Sequence, residues 1–157
     1  MRLEYFQLID RVVDISLNDR KIRAEATVPQ ASTVFEGHFP GHPLMPGVML
    51  IEAMAQASGW LLIGLMNFDR MPFLAAVRGA KLRHFVTPGE KLLLEAALVH
   101  EGSGYAVTTA RISVDGKRVC DSELTFRIMP FPSPEFRSQM TATATRIDMP
   151  MGAAADG

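Results

Sequence analysis

Residues 37–67 read GHFPGHPLMPGVMLIEAMAQASGWLLIGLMN, and this stretch decides the fold. Its second part, Gly47–Asn67, is apolar around most of a helical circumference, which predicts a helix buried in the middle of a fold. Pro46 stands at or just before the first turn, where the N–H that proline lacks would have no helical partner. The preceding stretch, Ala31–Pro46, contains three prolines and two glycines. We expect it to form a stiff loop without helix or strand.

Short runs of alternating apolar and polar residues on both sides of this stretch predict strands. The predicted strands are Val12–Ser16, Lys21–Val28, Phe73–Val86, Lys91–Val99, Tyr105–Val114 and Lys117–Met129. Asp115-Gly116 has the composition of a two-residue hairpin between the last two. The predicted architecture is α+β, with a long central helix wrapped by a curved antiparallel sheet. We expect a second copy of the chain to cover the sheet edge and the open side of the helix.

Composition narrows the class of protein. The chain has 157 residues, 48% of them hydrophobic and 21% charged, with a formal net charge of -1. These values fit one globular domain and give no sign of nucleic-acid binding. The longest apolar region contains Glu52 and Gln56, and charges interrupt the first ten residues. We therefore expect neither membrane insertion nor a signal peptide, and a cytoplasmic location.

The end of the chain differs from the rest. Pro130–Gly157 is rich in Pro, Ser, Thr and Ala and has few large apolar residues. Such a composition predicts a segment that extends or frays on the surface. We therefore divide the chain into a domain over residues 1–129 and a peripheral or flexible extension over residues 130–157.

The residues that could take part in catalysis cluster around the start of the predicted helix. His38 lies in the Pro/Gly loop, which would hold an imidazole in the fixed position that a general base needs. Gly47 begins the helix, where backbone N–H groups are free and favour negative charge. Glu52 lies about one turn further on an otherwise apolar helix, and Gln56 shares its face. A base, an acid and an oxyanion-binding N–H suit proton removal beside a carbonyl and expulsion of a hydroxyl.

The residues alone leave simpler interpretations open. His38 as a single loop histidine also fits a structural hydrogen-bond donor. Glu52 also fits a carboxylate that complements the helix N-terminus. The single cysteine, Cys120, has no partner for an internal disulfide, and its place on an inward-facing strand position predicts an inert thiol.

The segment HFPGHPLMPGVMLIEAMAQ, which is His38–Gln56, resembles the signature of the 3-hydroxyacyl-[acyl-carrier-protein] dehydratases, a hotdog-fold family of fatty acid synthesis. The opening YFQLIDRV and the later KLRHFVTPGEKL resemble the family more loosely. The resemblance covers about Leu3 to Met129 and leaves the tail without a counterpart. It implies a hotdog fold and the dehydration of (3R)-3-hydroxyacyl carrier protein to the trans-2-enoyl thioester.

The resemblance also assigns roles to individual residues. His38 corresponds to the catalytic histidine, and Glu52 to the acid that reaches the histidine of a partner subunit. The Gly47 N–H corresponds to the group that holds the thioester oxygen. The carbonyl of Leu44 would orient the histidine ring, and Gln56 would help to position the acid. Since a related dehydratase–isomerase branch has Asp at the acid position, the glutamate here favours dehydration alone.

The same resemblance implies no metal or organic cofactor, an acyl carrier protein as partner, and a homo-oligomer that is either a dimer or a trimer of dimers. Phe73 is a candidate gate of an acyl tunnel. Arg78, Lys81 and Arg83 form a candidate docking patch for the acidic carrier protein, although a solvated strand face explains them equally well. The chain also resembles a bacterial branch linked to the very-long-chain acyl groups of lipid A. A hotdog thioesterase and a non-catalytic acyl-binding hotdog protein remain the alternative functions.

Overall fold

The computed structural model describes residues 1–151, and a single six-stranded sheet surrounds its longest helix. The elements are β1 (Arg11–Ser16), β2 (Lys21–Thr27), α1 (Thr33–Gly37), α2 (Gly47–Leu65), β3 (Arg70–Leu82), β4 (Lys91–Gly102), β5 (Tyr105–Val114), β6 (Lys117–Pro130) and α3 (Pro134–Arg146), after a 3-10 turn over Leu3–Tyr5. Neighbouring strands are antiparallel in the order β1-β2-β4-β5-β6-β3. The α+β class and the hotdog arrangement predicted from the sequence are confirmed.

The central helix α2 begins directly after Pro46, whose carbonyl accepts hydrogen bonds from the N–H groups of Met49 and Leu50. The helix contacts every strand from β2 to β6, so the sheet curves around it. By length and composition α2 would be able to cross a membrane, yet most of its apolar window is buried inside the fold. Burial against the sheet accounts for its apolar character.

The strands that enclose α2 alternate as the sequence predicts. On β5 the inward-facing residues are buried: Ala106, Thr108, Ala110, Ile112 and Val114. The turn between β5 and β6 has φ 49° at Asp115 and φ 76° at Gly116. Two consecutive positive φ angles are what a type I′ hairpin requires, because its twist matches that of the flanking strands.

One end of the sheet carries a long uncovered strand. β3 pairs only with β6 and stands at the edge of the strand order. Nearly all of its 13 residues are exposed, and these include the apolar Leu74, Val77 and Leu82. A long edge strand of this kind readily pairs with another chain.

The prediction that Ala31–Pro46 contains no regular structure is wrong at its start. Thr33–Gly37 form the short helix α1, and the Ser32 side chain caps it by accepting a hydrogen bond from the Val34 N–H. Phe35 is buried and anchors the turn to the core. The prolines begin only at Pro40, so the residues before it remain free to adopt helical angles.

The prediction that the tail extends or frays is also wrong for its described part. Pro134–Arg146 form the helix α3, which starts with Ser133 accepting a hydrogen bond from the Phe136 N–H. Proline in the first helical turn costs no hydrogen bond and fits this start. Three apolar residues of the tail are buried: Ala144, Ile147 and Met149. Residues 152–157 of the predicted extension lie outside the described part of the chain.

Candidate active site

His38 follows α1 and is held by a backbone carbonyl. Its ring is half-buried, and its Nδ1 lies 3.3 Å from the carbonyl oxygen of Leu44. Because a carbonyl oxygen only accepts, a neutral imidazole in this contact carries its proton on Nδ1 and keeps a lone pair on Nε2. The Phe39 ring packs edge-on against the imidazole, with centroids 4.6 Å apart. The ring is therefore oriented with a basic nitrogen available for proton transfer.

Gly47 begins α2, and the exposed side chain of Leu82 lies directly against it. The N–H groups of the first helical turn have no partner within the helix, so this end can receive negative charge. A Cβ at Gly47 would collide with the side chain of Leu82, which lies against the glycine. This contact places the end of β3 next to the start of α2.

Glu52 and Gln56 lie one turn apart on α2 and are joined directly. The Gln56 Nε2 donates to Glu52 Oε1 at 3.1 Å and to the carbonyl of Phe6 at 2.8 Å. The Gln56 Oε1 accepts from the Leu8 N–H at 3.2 Å. Since both ends of the amide are bound, the glutamine is fixed and in turn orients the carboxylate. Glu52 itself is half-buried, because it faces an open cavity instead of the closed core.

This cavity has a volume of about 390 Å³. Glu52 and Gln56 stand in its wall, and most of the remaining lining residues are apolar. Those apolar residues are Phe6, Ile9, Ala55, Gly59, Trp60, Ile63, Met71, Pro72, Leu74, Phe126, Met140 and Ile147. The lining does not include His38, Leu44 or Gly47. Within one chain, the proposed base therefore lies in a group outside the lining of the cavity that the proposed acid borders.

The other predicted residues occupy different surroundings. Phe73 is partly exposed on β3 and does not line this cavity, although Pro72 and Leu74 do, so its role as a gate stays a prediction. Arg78 and Lys81 are exposed on β3. Arg83 donates from Nε to Oδ2 of Asp121 at 2.8 Å and is already ion-paired.

Cys120 is buried on β6, and burial raises the pKa of its thiol to about 12. The thiolate is the reactive form, so this side chain is inert near neutral pH, as the sequence predicts. Within residues 1–151, no three His, Cys, Asp or Glu side chains are grouped in a way that would hold a metal ion.

Sequence reasoning missed two sets of residues near the site. The backbone groups of Phe6 and Leu8, which hold Gln56, are about 50 positions away along the chain. No local pattern indicates such a contact. The tail residues Met140 and Ile147 were missed too, but the sequence did carry a signal for them. Together with Phe136 and Ala144 they recur at helical spacing, which indicates one apolar face.

Three comparisons place this chain among known proteins. A family model described as a FabA-like domain matches residues 2–123. The 3-hydroxyacyl-[acyl-carrier-protein] dehydratase FabZ of Thermus thermophilus is 40% identical over 123 residues, which are 77% of this chain and 85% of the relative. The residues that the family model matches end within β6 and therefore exclude α3.

Solved structures share the fold at lower identity. The dehydratase heterocomplex ApeI:P from Xenorhabdus doucetiae aligns with a TM-score of 0.60 and 21% identity, covering 87% of this chain and 90% of that chain. A hypothetical thioesterase from Streptococcus pneumoniae, solved with coenzyme A, aligns with a TM-score of 0.62 and 16% identity, covering 76% and 85%. At such identities the likeness extends to the hotdog fold alone.

Proposed function

The chain belongs to the FabA-like family, and from this membership we propose that it acts as a 3-hydroxyacyl-[acyl-carrier-protein] dehydratase of fatty acid biosynthesis, as its FabZ relatives do. The reaction removes water from a (3R)-3-hydroxyacyl thioester and leaves the trans-2-enoyl thioester. The observation that carries the proposal is the family match over residues 2–123. That segment contains both the oriented imidazole of His38 and the oriented carboxylate of Glu52.

The mechanism follows from the groups that the fold orients. Nε2 of His38 removes a proton from C2 of the substrate, and the N–H of Gly47 stabilises the negative charge that develops on the thioester oxygen. The C2–H electron pair then forms the C2–C3 double bond as the C3–O bond breaks. Glu52, directly or through a water molecule, gives its proton to the departing hydroxyl, which leaves as water. Gln56 keeps the carboxyl group directed at that oxygen.

The complete site needs two copies of the chain in this proposal. His38 and Glu52 belong to separate groups within one copy, and β3 offers a long uncovered edge. Apolar residues are exposed near the His38 group: Phe39, Val48, Leu82 and Phe85. Pairing of two β3 strands would cover part of this surface and bring the histidine of one copy towards the glutamate of the other. Dimers of this kind would assemble further into a trimer of dimers.

Binding of the carrier protein is proposed at Arg78 and Lys81, which lie opposite Glu123 and Asp121 of β6 on the outer face of the sheet. Pairing of two β3 edges through their backbones would leave this face accessible to an acidic partner, whereas Arg83 is ion-paired with Asp121. Reversing both charges, with Arg78→Glu and Lys81→Glu, should raise KM for a carrier-bound substrate several-fold and leave KM for the coenzyme A thioester unchanged. An equal rise for both substrates would place the defect in the active site instead. The double variant Lys117→Glu with Arg127→Glu changes the net charge by the same amount at two exposed positions of β6 outside this patch, and it serves as the charge-matched control.

A direct assay tests the function. The protein is incubated with 3-hydroxydecanoyl carrier protein, and the products are followed by mass spectrometry. Loss of one water with the thioester intact supports the dehydratase. Release of the free hydroxy acid would instead indicate a thioesterase, and an unchanged substrate would indicate a non-catalytic acyl-binding protein. A cytoplasmic location and the lipid A branch stay predictions, and substrates of increasing chain length test the latter.

A further inference from the structure

We propose that the tail helix α3 closes the far end of the cavity beside Glu52 and thereby sets the longest acyl chain that the enzyme accepts. The proposal rests on the proposed dehydratase function, since it assigns the acyl group to this cavity. It concerns a part of the chain that lies beyond the family match, which ends at residue 123.

The cavity runs along one face of α2. Four residues of α2 on one face line it in succession: Glu52, Gln56, Gly59 and Ile63. At the rise of an α-helix, the distance from the first to the last is about 16 Å. The chemistry changes along this path, because the two polar side chains stand at one end and apolar residues follow. A path with a polar mouth and an apolar body fits a thioester with its acyl chain extended along α2.

The tail lies at the end of α2 that is remote from Glu52. Two contacts join it to this end, and a third joins it to β1. Arg137 Nη2 at the start of α3 lies 3.6 Å from Oδ1 of Asp69, which follows α2. After α3, Met149 packs against Gly64 in the last turn of α2. The carbonyl of Ile147 accepts a hydrogen bond from the Val12 N–H at 2.7 Å and joins the tail to β1.

The helix α3 and the residue that follows it form part of the cavity wall. Met140, Thr143, Arg146 and Ile147 stand in its wall. Ile147 is fully buried and acts mainly as an anchor, whereas Met140 is half-buried and borders the open space. Arg146 and Glu52 are the two charged residues of the lining, and they come from different elements. An apolar acyl terminus cannot approach a guanidinium without removing its water, so a charge at the α3 side limits how far the chain extends.

Methionine suits an end wall whose depth matters. Its side chain is unbranched and adapts to irregular shapes, so a change of volume at this position alters the cavity without a large change of the core. Met140→Trp should shorten the cavity and Met140→Ala should lengthen it. Gln139→Trp adds the same bulk at the neighbouring, exposed position, which does not line the cavity.

The test compares kcat/KM of the full chain and these variants for 3-hydroxybutanoyl, 3-hydroxydecanoyl and 3-hydroxyhexadecanoyl carrier proteins. We expect Met140→Trp to lose roughly tenfold or more with the longest substrate and little with the shortest, because a hydrophobic pocket discriminates about tenfold or more per misfitted group. Met140→Ala should shift preference towards the longest substrate, and Gln139→Trp should keep the original profile.

Two outcomes would overturn the proposal in distinguishable ways. If the unmodified chain dehydrates at least one substrate and all three variants keep its chain-length profile, α3 does not limit the acyl chain. If the unmodified chain dehydrates none of the three, the proposed function fails and the assignment of the cavity fails with it. Should Met140→Trp not fold, as judged by circular dichroism, Met140→Ala and Gln139→Trp decide the question by the same comparison.

Discussion

Residues 37–56 and residues 130–151 differ in what their sequence reveals: the first segment reveals chemistry, and the second conceals its packing. The first segment contains a dense motif whose residues were assigned roles from the sequence, yet within one chain it presents the base and the acid in separate groups. The second segment has no motif and was expected to fray, yet it forms a capped helix and buries three apolar residues, one in the helix and two just after it. A motif reports chemistry, while packing depends on a few well-spaced apolar side chains.

The difference has a physical origin. The motif segment needs fixed residue types because other groups cannot replace the imidazole, the carboxyl group and the N–H group in moving protons and stabilising negative charge. The tail needs only residues that bury area at helical spacing, and many sequences satisfy that requirement. Variants of the chemical groups in the first segment should therefore abolish the reaction and preserve the fold, whereas variants of the buried anchors of the second should weaken the fold and leave the catalytic groups in place.

The largest effect is expected at the base. His38→Ala removes the group that accepts the proton, so kcat should fall by on the order of 10²-fold or more while the thermal midpoint stays close to that of the unmodified chain. His42→Ala in the same exposed loop is the matched control and should keep near-normal turnover. A His38→Ala enzyme with near-normal turnover would remove the imidazole from the mechanism.

Within the tail, the main expected effect is on stability. Ile147 is fully buried, and Ile147→Ala should cost about 2–5 kcal/mol of unfolding free energy, because it leaves a cavity between the tail and the core. The measurement is urea unfolding followed by circular dichroism. The exposed Thr145→Ala is the control and should change stability by less than about 0.5 kcal/mol. Equal unfolding free energies for the two variants would contradict a packed tail and would support the frayed tail that the sequence predicts.

The smallest effect is expected at Cys120. Its labelling shows whether loss of the tail contact at Ile147 also opens the core. Cys120 lies against Met54 of α2, with its Sγ 4.0 Å from the methionine Sδ. Since burial raises its pKa to about 12, almost no thiolate exists below the ordinary value of 9.0. A maleimide should therefore fail to label the folded chain and the folded Ile147→Ala variant at neutral pH. Both should react fully in denaturant. Rapid labelling of the native chain would contradict a closed core.

The sequence predicted most of the fold because its signals are local. The apolar run of α2, the alternation along β5 and the Asp115-Gly116 hairpin each depend on neighbouring residues. The contact between His38 Nδ1 and the Leu44 carbonyl lies within six residues, and the resemblance predicts a backbone carbonyl at this place beside the ring. The hydrogen bonds of Gln56 to the backbone of Phe6 and Leu8 could not be predicted from the sequence, because they depend on how distant segments pack.

In the proposed dehydratase, His38 of one copy and Glu52 of another form one site. Chains with His38→Ala and chains with Glu52→Gln, each inactive alone, are co-expressed with different tags, and the mixed pairs are purified. Each mixed pair then has one site with both groups intact and one with neither, so it should recover about half of the unmodified rate. If the two residues act within one chain, every site lacks one group. Mixed pairs as inactive as their parents would then contradict the shared site.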